Sequence, residues 1–118
     1  MAARLRRLES DEEYAPDDPD LPRQRAVLHH ALGDARRVEQ AVRRWLGLAD
    51  GDLAARLAAL DLLPPRAPLA EQVALRAEEL AGDDLAAWKR LEALWAARGD
   101  QTRRLAAGER WRRIERGR

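Results

Sequence analysis

Residues 81–100, AGDDLAAWKRLEALWAARGD, are a run of helix-forming residues with a Gly-Asp pair near each end. The same pair also occurs at residues 33–34 and 51–52, which makes four in the chain. Glycine readily takes the left-handed conformation that ends a helix, and aspartate caps the next helix by accepting from its exposed backbone N–H groups. Each pair therefore predicts that one helix ends and another begins.

Between the pairs, apolar residues recur with the period of an α-helix. After the first pair they are Val38, Ala41, Val42, Trp45 and Leu46, and after the third they are Leu85, Trp88, Leu91, Leu94 and Trp95. Similar stripes follow the second and fourth pairs, and two more helices are predicted at 22–32 and 68–81. No segment alternates with period two, so we predict an all-α fold, a compact bundle of five to six short helices.

The spacing of the Gly-Asp pairs raises the question of internal duplication. The first and third pairs are 49 residues apart and the second and fourth 48, and the proline-rich stretch LLPPRAP lies between the halves. Prolines interrupt a helix and stiffen a connector. Residues 22–118 are thus predicted to form a single helical domain, with possible three-helix pseudo-repeats at 22–63 and 68–115. The alternative is that Gly-Asp is simply a common helix cap.

Charge is unevenly distributed along a chain whose net charge is only +1. Residues 1–8 carry +3, residues 9–20 carry −7, and residues 103–118 carry +5. The acidic stretch also contains prolines and few apolar residues, so residues 1–21 are predicted to form a charged, acidic tail or strap. A sharper hypothesis is that this segment covers the basic C-terminal helix and masks it.

Groups for catalysis or metal binding are scarce. There is no cysteine, Ser10 and Thr102 are the only hydroxyl residues of their kinds, and neither has a histidine nearby in sequence. His29 and His30 are adjacent on a predicted helix and diverge by about 100°, so they cannot chelate one metal together. We therefore expect no enzyme activity, no metal and no cofactor. No apolar run is long enough to cross a membrane, and we expect a cytoplasmic location.

One motif does suggest an enzyme. Arg25 and His30 are separated by four residues and resemble the RxxxxH pattern of HEPN-type ribonucleases. In that family the arginine and histidine meet across a dimer interface and act on the RNA backbone. The resemblance implies a small all-α dimer with Arg25 and His30 as catalytic residues. Here Ala26 takes the place of the polar residue that usually follows the arginine.

The C-terminal stretch RRLAAGERWRRIERGR is the richest candidate for binding. Arginine forks grip phosphates, and an indole can stack on an unpaired base. This pattern predicts a nucleic-acid surface made of Arg103, Arg104, Arg110, Trp111, Arg112, Arg113 and Arg116. The alternative is that Trp111 and Ile114 pack on the core while the arginines extend into water or pair with nearby carboxylates.

A second candidate surface lies near the end of the helix that is predicted to follow the third Gly-Asp pair. Trp95 beside Leu94, with Arg98 one turn later, is a combination typical of protein-binding hot spots. The sequence thus leads us to expect a non-catalytic interaction or assembly module that self-associates as a homo-oligomer or binds a protein partner. Nucleic-acid binding through the arginine-rich helix is the alternative, and a HEPN-like ribonuclease is the third possibility.

Overall fold

A computed structural model describes residues 2–118, which fold into α-helices joined by short turns, with no strand among them. In chain order the helices are α1 (Ala2–Tyr14), α2 (Asp20–Ala31), α3 (Ala35–Leu48), α4 (Leu53–Leu60), α5 (Pro68–Ala81), α6 (Leu85–Arg98) and α7 (Gln101–Arg116). The all-α prediction is confirmed. Within the same residues, no helix combines the length and apolar character needed to cross a membrane.

The helix count differs from the prediction of five to six, because the described part of the chain has seven. The additional helix is α1, which lies within the segment predicted as an acidic tail or strap. It was missed because its sequence has no apolar stripe. Leu8 is its only buried residue, and charged side chains occupy most of the other positions.

The Gly-Asp pairs act largely as expected. Positive φ angles occur at Gly33, Gly82 and Gly99 (75°, 52° and 79°), where a residue without a Cβ ends the preceding helix at little cost. An aspartate side chain then accepts a hydrogen bond from the backbone N–H three residues later, at Asp34, Asp52, Asp84 and Asp100. The third pair differs in that the cap is Asp84, one residue after Asp83.

By its internal contacts the chain divides into two units, residues 1–55 and 56–118, and the division falls inside α4. In the first unit, α2 packs mainly against α3, and α1 contacts α2. Glu12 of α1 pairs with Arg25 of α2 at 3.2 Å. The buried apolar side chains of this unit are Leu8, Ala26, Leu28, Val38, Ala41, Val42, Trp45, Leu46 and Ala55.

In the second unit, α6 packs most extensively against α7 and also contacts α5. Its largest fully buried side chains are Trp95, Leu91, Leu94 and Val73. Under the 49-residue offset, the α2–α3 hairpin corresponds to α5–α6, whereas the tightest hairpin of this unit is α6–α7. The helix pairing therefore does not follow the offset, and the duplication stays a prediction.

Candidate anion-binding surface on the last helix

Helix α7 packs closely against α6 and has a buried glycine in its middle. A Cβ added at Gly108 would meet the carboxylate of Glu92 on α6 and the guanidinium of Arg112, two flexible groups that could move aside. The helix runs through Gly108 without a break. In this hairpin the α6 tryptophans lie within reach of the α7 arginines.

Near the start of α7, Arg103 is held by groups on three sides. Its guanidinium lies 5.2 Å from the ring of Trp95 and pairs with Asp100 at 3.3 Å and with Glu78 at 3.6 Å. Burial raises the pKa of Glu78, while the charge of Arg103 and the indole of Trp95 act in the opposite direction. Trp95 Nε1 is buried and makes no hydrogen bond of good geometry within the described residues. The Arg103 side chain is thus occupied by contacts within the second unit.

Arg110 is fixed in a similar way two turns further on. Its guanidinium lies 5.6 Å from the ring of Trp88, one of its terminal nitrogens donates to the Gly82 carbonyl at 3.2 Å, and the same nitrogen lies 3.5 Å from Asp83. Trp88 Nε1 donates to that carbonyl as well, at 2.9 Å. Arg110 Nε is buried and has no acceptor among residues 2–118, which leaves one charged donor unsatisfied.

Trp111 is surrounded by charged side chains of both helices. Lys89 lies 4.7 Å and Arg112 4.6 Å from its ring centre, within the range of cation–π attraction. Trp111 Nε1 donates to Glu92 at 3.1 Å, and Arg112 lies 3.9 Å from the same carboxylate. A base could stack on Trp111 only by competing with these cations.

The remaining predicted arginines of α7 are free of ion pairs. Arg113 and Arg116 have no partner in the part of the chain that the structure describes, and Arg104 bonds only to Gln101, at 2.7 Å. Arg113 also lines a cleft of about 390 Å³ at the end of α7, whose walls are Asp83, Arg110, Arg113, Ile114, Gly117 and Arg118. Arg103 and Arg110 are therefore held by contacts within the fold, whereas Arg113 and Arg116 are available to contact another molecule.

The three residues predicted as a protein interface lie in the packed part of the second unit. Trp95 is 0% and Leu94 2% exposed. Arg98 donates to the carbonyls of Pro65 and Ala67 at 2.8 and 2.9 Å and pairs with Glu71 at 2.8 Å. Arg98 therefore fastens the proline-rich connector to α6. An interface through these residues stays a prediction, and the exposed groups of α7 offer a more accessible surface.

The residues of the HEPN-like motif lie in the first unit. Arg25 is half-buried and pairs with Glu12, while His30 is exposed. The adjacent His29 is buried, and burial lowers its pKa, with the charges of Arg25 and Arg37 adding to the effect. Ser10 and Thr102 are both exposed. Among residues 2–118, no group of three or more His, Asp or Glu is placed to hold a metal ion.

Several contributors to this surface were missed in the sequence, namely Trp88, Lys89, Gly82, Asp83 and Arg118. A signal for Trp88 existed. Trp95 and Arg103 are each four positions from Gly99, and Trp88 and Arg110 are each eleven. A hairpin folding at Gly99 brings such equidistant residues together.

Comparison of the chain with protein-family models, curated proteins and solved structures finds no match.

Proposed function

We propose that this chain is a non-catalytic helical module that self-associates by joining the acidic half of α1 in one copy to α7 of another. The observation that supports it most is that unpaired carboxylates cluster in the second half of α1 and just after it, while arginines free of ion pairs outnumber the unpaired carboxylates Glu109 and Glu115 from α7 onward. Carboxylates without a partner in the described residues collect at Glu9, Asp11, Glu13 and Asp17. Arginines free of ion pairs collect at Arg104, Arg113, Arg116 and Arg118.

Each of these two segments also exposes a large apolar side chain. Tyr14, at the end of α1, is 89% exposed, and Leu105 of α7 is 57% exposed. An apolar contact beside complementary charges is the usual composition of an interface, in which apolar burial supplies affinity and charge supplies orientation and encounter rate. The proposed contact combines both.

The two segments are different surfaces, so the contact is heterologous, and copies join head to tail as a ring or an open chain. Exposed ion pairs contribute only about 0.2–1 kcal/mol each and are screened by salt. We therefore expect weak, concentration-dependent association that declines as the salt concentration rises.

Charge reversal tests the proposal by sedimentation velocity. Glu9→Lys/Asp11→Lys/Glu13→Lys makes α1 basic, and Arg104→Glu/Arg113→Glu/Arg116→Glu makes α7 acidic. Each variant alone should be monomeric, since its two segments then carry like charge. An equimolar mixture should associate again, because each variant offers the charge that the other one attracts.

The matched control is Arg36→Glu/Arg43→Glu, which reverses exposed, unpaired arginines on α3 and should leave association unchanged. Self-association is contradicted if the intact chain stays monomeric at low salt, or if the mixed variants do not associate. A monomer whose sedimentation changes on charge reversal would instead favour the masking of α7 within one chain.

Nucleic-acid binding through α7 is the second candidate, favoured by the unpaired Arg104, Arg113 and Arg116. It is opposed by the contacts of Trp111, whose ring already has Lys89 and Arg112 against it. Fluorescence anisotropy with labelled single- and double-stranded oligonucleotides tests it. Binding should weaken steeply with salt and be lost in Arg104→Gln/Arg113→Gln/Arg116→Gln. No binding at low salt would exclude it.

A further inference from the structure

We propose that the cleft at the end of α7 binds a phosphate group carried by a small organic molecule or by a nucleic-acid backbone. The cleft has a volume of about 390 Å³ and is lined by Asp83, Arg110, Arg113, Ile114, Gly117 and Arg118. This inference goes beyond self-association because it concerns a concave site and the ligand that would fill it, although Arg113 and Arg118 belong to both surfaces.

The charge balance of the cleft favours a dianion. Three arginine side chains and one side-chain carboxylate line it, which gives a side-chain charge of +2. A phosphate monoester carries about −1.5 to −2 at neutral pH and offers three strong acceptor oxygens. The planar guanidinium fork matches that geometry with two parallel hydrogen bonds.

Arg110 is already held in position for this role. The ring of Trp88 and the carbonyl of Gly82 fix its guanidinium, so little side-chain entropy remains to be lost when a ligand binds. Its buried Nε has no acceptor in the described residues, an uncommon state for a charged donor. Asp83, its ion-pair partner, is 87% exposed and therefore screened by water.

Arg113 and Arg118 supply the adjustable part of the site. Both are exposed and have no partner among residues 2–118, so turning toward a ligand breaks no existing bond. Ile114 gives the cleft an apolar wall, and the volume exceeds that of a phosphate group alone and falls in the range of small-molecule sites. No aromatic side chain lines the cleft, so nothing in it would stack on a base.

The test is calorimetric titration of the intact chain with pyrophosphate at constant ionic strength. We expect saturable 1:1 binding that Arg113→Gln/Arg118→Gln weakens by about tenfold or more, the effect of losing charge-assisted hydrogen bonds. The matched control is Arg104→Gln/Arg116→Gln, which removes the same charge from the same helix outside the cleft. Its affinity should stay within about twofold, the change expected from general electrostatics.

Two further readouts locate the site and identify the source of the phosphate. On titration the Trp88 indole N–H signal should shift while that of Trp45, in the other unit, stays in place. Release of a bound single-stranded oligonucleotide by pyrophosphate would identify the nucleic-acid backbone as the source of the phosphate. If oligonucleotide binding is the same in the intact chain and in Arg113→Gln/Arg118→Gln, the source is a free organophosphate. The proposal is overturned by no saturable binding, by equal weakening in both double variants, or by an unmoved Trp88 signal.

Discussion

His29 and His30 are neighbours in sequence with opposite surroundings. His29 is 3% exposed within the first unit, whereas His30 faces solvent. Burial lowers the pKa of His29 below its ordinary value, and the nearby charges of Arg25 and Arg37 lower it further. The folded chain therefore resists protonating this imidazole, which makes His29 a source of acid sensitivity.

Replacing His29 should reduce the pH dependence of stability. Below about pH 6.5 the unfolded chain takes up a proton that folded His29 resists, so the stability present above that pH is lost as the pH falls. One proton limits the loss to about 1.4 kcal/mol per pH unit. We expect His29→Gln to flatten the slope between pH 7 and 5 in urea unfolding followed through the Trp45 indole signal.

His30→Gln is the matched control for this experiment, because it removes an exposed imidazole one position away. It should keep the slope of the intact chain. The comparison concerns slopes and not absolute stabilities, since a polar amide in a buried position lowers stability at every pH. If the two variants show the same slope, the acid sensitivity has another origin.

At the scale of the element, α1 has a charge order that opposes its own dipole. The amino end of a helix favours negative charge and the carboxyl end positive charge. Helix α1 has no acidic residue in its first turn and no basic one in its last, and its exposed arginines precede its carboxylates. With Leu8 as its one buried side chain, α1 has few interactions to offset this arrangement.

Exchanging the terminal charges of α1 should stabilise it. Arg4→Glu/Glu13→Arg keeps the net charge and places favourable charge at both ends, with an expected gain of about 0.5–1 kcal/mol in the stability of this helix. Hydrogen–deuterium exchange of residues 2–14 should slow by roughly twofold to fivefold. The gain should shrink at about 1 M salt, which screens the dipole. Faster exchange, or an equal gain at high salt, would contradict the dipole argument.

The six helices that were predicted correctly share a signal that α1 lacks. At the Gly-Asp pairs their boundaries follow from glycine's freedom at positive φ and from aspartate capping, whereas α2 and α5 begin without a side-chain cap and were recognised by their apolar stripe and nearby prolines. The position of the third cap could not be predicted, because Asp83 and Asp84 are chemically equivalent in sequence. Only the fold determines that Asp84 accepts the hydrogen bond from Ala87.

The candidate site was predictable only in part, for a related reason. The arginine-rich character of α7 is visible in the sequence, but which arginines are available depends on contacts across the α6–α7 hairpin. Arg110 is held because Trp88 and the Gly82 carbonyl lie opposite it, while Arg113, one turn later, has no such neighbour. Arg98 could not be assigned to the connector, because its acceptors are carbonyls positioned by the loop conformation.

For the whole molecule, the net charge of +1 conceals the feature with most consequence for association. Positive and negative charges that find partners within their own helices or hairpins contribute little to encounters with other molecules. Among the unpaired charges, a carboxylate cluster in the second half of α1 and the arginines of α7 are the ones of opposite sign that could attract each other. A charged competitor should therefore act on one of these surfaces and leave the fold intact.

A short heparin fragment should dissociate the self-associated form. Its sulfate groups compete with the carboxylates of a second copy for Arg104, Arg113 and Arg116, and a fragment of a few sugars is too short to bridge two copies. Sedimentation velocity at low salt should show a shift to monomer that neutral dextran of the same length does not produce. If association persists at saturating heparin, or if dextran acts equally, then α7 is not the surface through which copies join, and Arg113 serves the cleft alone.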